Sequence, residues 1–136
     1  MEAQEKPYRV FVVEDDLDLR LVFQSVLSAV HPYLLLEWAS SAEAAVDLLE
    51  NKIGESSGSP FELIVADIFL EGTATGLDFW RLCQLMYPEI PLIVTSGMSV
   101  EKFTQIIGEG ITAPPFLAKP FSLGECQRVF EGVTRA

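Results

Sequence analysis

Leu63-Ile64-Val65-Ala66-Asp67 is a short apolar run that ends in an acid. A run of this length with branched side chains reads as a strand over 62–66, buried on both faces. Three more runs have the same form. Tyr8-Arg9-Val10-Phe11-Val12-Val13 leads into Glu14-Asp15-Asp16, Pro91-Leu92-Ile93-Val94 into Thr95-Ser96, and Pro115-Phe116-Leu117-Ala118 into Lys119-Pro120. If the four runs are parallel strands of one sheet, acids, a hydroxyl and a lysine meet at its carboxyl edge. Open α/β sheets bind their ligands at that edge. Such a set suits a divalent cation and a phosphoryl group.

The segments between the runs read as helices. Leu17, Leu21, Val22, Val26, Leu27 and Val30 recur at helical spacing, with Asp15 or Asp16 placed to cap the first turn. Leu34-Leu35-Leu36-Glu37-Trp38 reads as a further strand. Ser40-Ser41-Ala42-Glu43 reads as a capping box with a helix behind it. Residues 53–60, rich in Gly and Ser and ending in Pro60, read as a surface loop. A second loop is expected over 72–76, before a helix through Phe79, Trp80, Cys83 and Met86 that Pro88 ends. Its aromatic residues read as core. A poorly patterned helix is expected at about 100–108, and Ser122-Leu123-Gly124-Glu125 is a capping box opening a last one. Alternating strands and helices with connections of this length imply a parallel sheet with helices on both faces.

The chain has 136 residues, enough for one domain with a real core. Hydrophobic residues make up 49% and charged residues 21%, which argues against disorder. A formal charge of -11 argues against sequence-independent nucleic-acid binding and against docking on an anionic membrane. No apolar stretch reaches the roughly 18 residues of a membrane span. Residues 1–6 lack the basic start and apolar centre of a signal peptide. Cys83 and Cys126 have no metal or CxxC spacing and read as reduced thiols. These features predict a cytoplasmic protein. His31 is the single histidine and precedes Pro32, away from the acids, so it reads as a loop residue.

Asp67 is the candidate nucleophile, because a carboxylate can accept a phosphoryl group as an aspartyl phosphate. Stabilising charge on the transferred oxygens is then the main chemical task. Magnesium, which prefers oxygen ligands, would be held by Glu14, Asp15 and Asp67, with the Phe69 backbone carbonyl as a further oxygen. Lys119 offers a point charge and Thr95 a hydroxyl donor.

On these residues the chain resembles the receiver domain of two-component response regulators. The resemblance rests on Val12-Val13-Glu14-Asp15-Asp16, Ala66-Asp67-Ile68-Phe69-Leu70, Val94-Thr95-Ser96-Gly97 and Lys119-Pro120-Phe121, in that order, and spans Val10 to about Val133. It implies a five-stranded parallel sheet in the order 2-1-3-4-5 and a single receiver domain over 1–136, its core at about 8–134, with no output domain. Asp67 would take a phosphoryl group from a histidine kinase or a histidine phosphotransfer protein. Asp15, Asp67 and the Phe69 carbonyl would bind Mg2+, with Glu14 assisting through water. Thr95 and Lys119 would read the phosphate, and Phe116 would be the switch aromatic. A downstream protein would dock on the face made by helix four, strand five and helix five. The Lys119-Pro120 peptide would be cis.

Three segments depart from the common pattern: the loop over 51–60, Glu71-Gly72 with the extended Thr73-Ala74-Thr75, and Ala113-Pro114-Pro115. In DNA-binding relatives the last of these carries acids that pair between subunits. The resemblance implies a signalling switch rather than a turnover enzyme. A phosphorelay intermediate or a receiver fragment of a hybrid histidine kinase would read the same way. A phosphatase with an Asp nucleophile fits less well, because the second Asp such enzymes place two residues on is Phe69 here. A flavodoxin-like cofactor binder would need a Ser/Thr/Gly-rich phosphate loop where Glu14-Asp15-Asp16 stands.

Overall fold

The computed structural model describes residues 7–55, 60–68 and 76–134, with the backbone alone at 53–55. Strands and helices alternate: β1 (Tyr8–Val13), α1 (Leu17–Val30), β2 (Leu34–Ala39), α2 (Ala42–Glu55), β3 (Leu63–Asp67), α3 (Gly76–Met86), β4 (Leu92–Ser96), α4 (Val100–Ile107), β5 (Phe116–Ala118) and α5 (Leu123–Thr134). All strand pairs are parallel, in the order β2-β1-β3-β4-β5. The expected fold class and strand order are both present.

The unbroken apolar runs follow from burial on both sides of the sheet. Successive side chains of a strand point to opposite faces. Phe11 and Val13 pack into one layer with Leu49 of α2, Phe79 and Trp80 of α3 and Phe103 of α4. Val10 and Val12 pack into the other with Phe23 and Leu27 of α1 and Phe130 of α5. Cys83 lies in the first layer and Cys126 in the second, both as buried free thiols. Burial pushes each thiol up to about 12, which keeps it protonated and unreactive. No described helix is long and apolar enough to cross a membrane.

Caps set the helix starts. Asp16 accepts from the Asp18 N–H at 2.9 Å and opens α1. Ser122 and Glu125 satisfy each other reciprocally at 3.1 and 3.2 Å, the capping box read for α5. The box read at Ser40 and Glu43 is displaced by one residue. Ser41 is the cap, accepting from the Ala44 N–H at 3.1 Å, because α2 begins at Ala42. α2 also runs on to Glu55, so the expected loop over 53–60 starts later than read. α4 owes its start to Ser99, which accepts from the Lys102 N–H at 3.2 Å, and its hold to Phe103 and Ile107, one turn apart and buried. Gly108 follows with φ 93°, a left-handed conformation that glycine adopts without a Cβ clash. β5 has three residues because Pro115 lacks an N–H. Its carbonyl still accepts from Val94 at 2.9 Å.

Candidate functional site

Register brings the strand ends together. Val13 lies opposite Ala66, so Glu14 follows beside Asp67. Asp67 lies opposite Thr95, and Ser96 opposite Ala118, so Lys119 follows beside them. Backbone bonds tie the edge shut beyond the strands. The Glu14 N–H donates to Ala39 at 2.9 Å, Ile68 to Thr95 at 3.1 Å and Lys119 to Ser96 at 2.7 Å. The Lys119-Pro120 peptide is cis, as the resemblance implies.

Lys119 Nζ donates to Asp67 Oδ2 at 2.6 Å and to Glu14 Oε1 at 2.9 Å. Glu14 and Asp67 are almost wholly buried, while Asp15 is exposed. The second Glu14 oxygen accepts from the Asp16 N–H at 3.2 Å. Carboxylate oxygens of Glu14, Asp15 and Asp67 lie within 4.8 Å of one another. Burial pushes the Glu14 carboxyl up to about 7; the Lys119 hydrogen bond opposes the rise and the Asp67 charge adds to it. Burial alone would lower the Lys119 ammonium, but its hydrogen bonds to Asp67 and Glu14 hold it above its ordinary range.

Three carboxylates against one ammonium leave the cluster short of positive charge. Oxygen donors of this kind fit a hard divalent cation such as Mg2+. The Thr95 hydroxyl, 1% exposed as a residue, faces no hydrogen-bond partner among the described residues. Such a buried orphan costs about 1–3 kcal/mol and calls for a group that completes it.

The structure thus gathers Glu14, Asp15, Asp67, Thr95 and Lys119 at one edge. Phe69, expected to lend its carbonyl, lies outside the described residues, as do Glu71-Gly72 and Thr73-Ala74-Thr75. Phe116 stands back from the edge at the start of β5, opposite Val94, half-buried, with its ring centroid 5.3 Å from that of Phe103. It lines a groove of about 470 Å³ together with Ser99, Val100, Arg128 and Val129. His31 is far from this edge. It closes α1 and stacks on Tyr8 at the opposite one.

Two features escaped sequence reading. Glu14, read as assisting through water, shares the partly buried Lys119 ammonium with Asp67, whereas Asp15 reaches solvent. Gly76 was read as the end of a loop. It opens α3 and donates its N–H to the Ile68 carbonyl at 2.8 Å. The signal available was its position, a glycine shortly after the acid and directly before an amphipathic run.

The strand order and edge chemistry invite comparison with solved structures. The non-phosphorylated HemR receiver domain from Leptospira biflexa superposes with a TM-score of 0.74 at 24% identity, covering 96% of each chain. The fold is the receiver fold. The chemotaxis response regulator CheY4 of Vibrio cholerae gives 0.73 at 18% identity, covering 94% of this chain and 99% of its own. The beryllofluoride-activated DrrB receiver domain gives 0.73 at 17% identity, covering 96% of this chain and 100% of its own. The sequence matches no protein-family model and has no significant match to a curated protein.

Proposed function

We propose that this receiver fold serves as a phosphorylation-dependent signalling switch, with Asp67 as the phosphoryl acceptor. The observation that carries the reading is the Lys119 ammonium bridging Asp67 and Glu14 at the strand ends, beside the unpartnered hydroxyl of Thr95. A carboxylate oxygen of Asp67 attacks the phosphorus of a phosphohistidine on a histidine kinase or phosphotransfer protein. The P–N bond breaks as the P–O bond forms, and the departing imidazole takes up a proton. Asp15 and Asp67, with the carbonyl of Phe69 and with Glu14 through water, would hold Mg2+. When bound, that ion neutralises charge on the transferred oxygens. Lys119 pairs with one phosphoryl oxygen, and Thr95 donates its hydroxyl to another, which removes the orphan.

Completing Thr95 supplies the bias between two packings. A phosphoryl group that draws Thr95 inward leaves space beside β5, and the half-buried Phe116 ring moves into it. Phe116 has no hydroxyl, so this coupling rests on packing with Phe103. The groove that Phe116 lines between α4 and α5 is where a downstream protein would read the change.

Incubation with a labelled phosphohistidine donor and Mg2+ tests the assignment. Label should reach one per chain, disappear in Asp67→Asn, and disappear when a chelator removes the metal. Stoichiometric label persisting on Asp67→Asn would overturn it.

A further inference from the structure

α3 is tied to the acceptor strand at one end and to the switch region one turn later. At Gly76 the tie is backbone against backbone. A Cβ at this position would fall inside the van der Waals envelope of the Asp67 carbonyl oxygen and 2.6 Å from the Ile68 Cα. Both are main-chain atoms and cannot turn aside as a side chain would. The Gly76 N–H bond to Ile68, at 2.8 Å, holds the contact. Its Cβ-free fit is therefore a matter of close approach, not of a left-handed backbone. One turn along α3, Trp80 is 2% exposed and meets Phe103 of α4 edge to face, with centroids 5.5 Å apart. Phe103 in turn lies 5.3 Å from Phe116 of β5. The indole N–H of Trp80 is buried with no acceptor among the described residues. Packing alone therefore holds the ring, and a small shift of α3 breaks no hydrogen bond of that indole.

We infer that α3 is a second route out of the site, in which load on Asp67 moves the helix through Gly76 and reaches Phe116 through Trp80 and Phe103. Gly76 is then a positioning residue for the acceptor, acting through the Asp67 and Ile68 main chain. Trp80 is the element that passes the shift to α4. The route bypasses the Thr95 hydroxyl. It rests on the proposed function, since it requires Asp67 to take the phosphoryl group or its mimic.

The full chain labelled with 5-fluorotryptophan tests this in one fluorine spectrum. Two protein resonances report Trp38 and Trp80, assigned with Trp38→Phe, and bound fluoroberyllate is seen separately. With Mg2+ and beryllofluoride, the Trp80 resonance should shift with occupancy. Trp38, which packs into the other layer beneath the Arg20 guanidinium, should stay. The Trp80 shift should persist in Thr95→Val at saturating beryllofluoride, with Thr95→Ala as the second variant should Val not fold. Bound fluoroberyllate with an unmoved Trp80, or a Trp80 shift lost in the Thr95 variants while fluoroberyllate stays bound, overturns the inference and leaves the proposed function standing. Absence of any bound fluoroberyllate on the wild-type chain overturns both.

Discussion

The two edges of the sheet are built from the same strands and treat polar groups in opposite ways. At the amino edge, charged groups pair locally or face water, and the one buried orphan among the described residues there is the neutral ring nitrogen Nε2 of His31. The Tyr8 N–H donates to Tyr33 at 2.8 Å, and Arg9 and Glu62 exchange bonds, Arg9 N–H to the Glu62 carboxylate at 2.7 Å and Glu62 N–H to the Arg9 carbonyl at 2.9 Å. The Tyr8 ring stacks on His31 with centroids 3.7 Å apart. At the carboxyl edge lie Glu14, Asp67, Thr95 and Ser96, which are all the buried polar or charged residues among those described. Burying charge costs several kcal/mol per ion unless pairing offsets it. A chain that needed only to fold would close both edges as it closes the first. The polar burial at one edge is a local violation of folding rules of the kind that marks function.

Breaking the Lys119 bridge should produce the largest difference between the edges. Lys119→Met leaves Glu14 and Asp67 as neighbouring buried acids with their shared ammonium gone. In chelator, urea unfolding should show a loss of about 3 kcal/mol. Millimolar Mg2+ should restore much of it, because the cation supplies the missing charge to the same oxygens. Arg9→Met at the amino edge is exposed and should stay within about 0.5 kcal/mol, with or without the metal. Equal losses for the two variants would erase the contrast.

Asp15→Ala should sharpen the contrast with a smaller effect. Asp15 is exposed, so its removal should leave folding stability nearly unchanged. A Mg2+ titration followed by Trp fluorescence or calorimetry should show affinity reduced at least tenfold, about the size of losing even an outer partner of a metal ligand. Unchanged affinity would show that Asp15 is not a ligand of the cation.

Most of this architecture was legible because its signals are local and strong. The β3 run has no polar position to place on a solvent face, so burial on both faces, and hence a parallel sheet between helix layers, follows from the residues themselves. Edge chemistry was legible because parallel strands align their ends: Glu14, Asp67, Thr95 and Lys119 sit one position past, or at, the close of their runs. What the sequence could not carry were choices between near-equal neighbours. Ser40 and Ser41 both offer a capping oxygen, and only the start of α2 at Ala42 decides for Ser41. Glu14 and Asp15 are adjacent acids of similar chemistry. Which one is buried against Lys119 depends on the turn that follows β1, where the Asp16 N–H binds Glu14 while the Asp16 side chain caps α1. The α4 pattern looked weak because only Phe103 and Ile107 are buried on so short a helix. The Gly76 approach joins residues eight and nine apart in the chain, and it leaves no sequence period at all.

The smallest expected effect lies at the amino edge and concerns pH. Burial, then the Glu62 charge, pushes the Tyr8 phenol from its ordinary 10 up to about 12. Between these values the unfolded chain releases the proton while the folded chain keeps it, so stability falls as pH rises. The contribution is fully present below 10 and is lost through the folded value. The phenol is half-exposed, and solvent screening limits the loss to about 1 kcal/mol. Tyr8→Phe keeps the stacking ring but cannot ionise. The stability gap between wild type and this variant should be flat from pH 7 to 9 and should turn against the wild type by pH 11, in urea midpoints at constant ionic strength. Phosphoryl acceptance at pH 7 should be the same in both, because the phenol is neutral there and stands at the other end of β1 from Glu14. A gap that stays flat to pH 11 would mean that Tyr8 meets water in the folded state as freely as in the unfolded one. A variant slowed in phosphoryl acceptance would mean that the two edges are coupled along the strand.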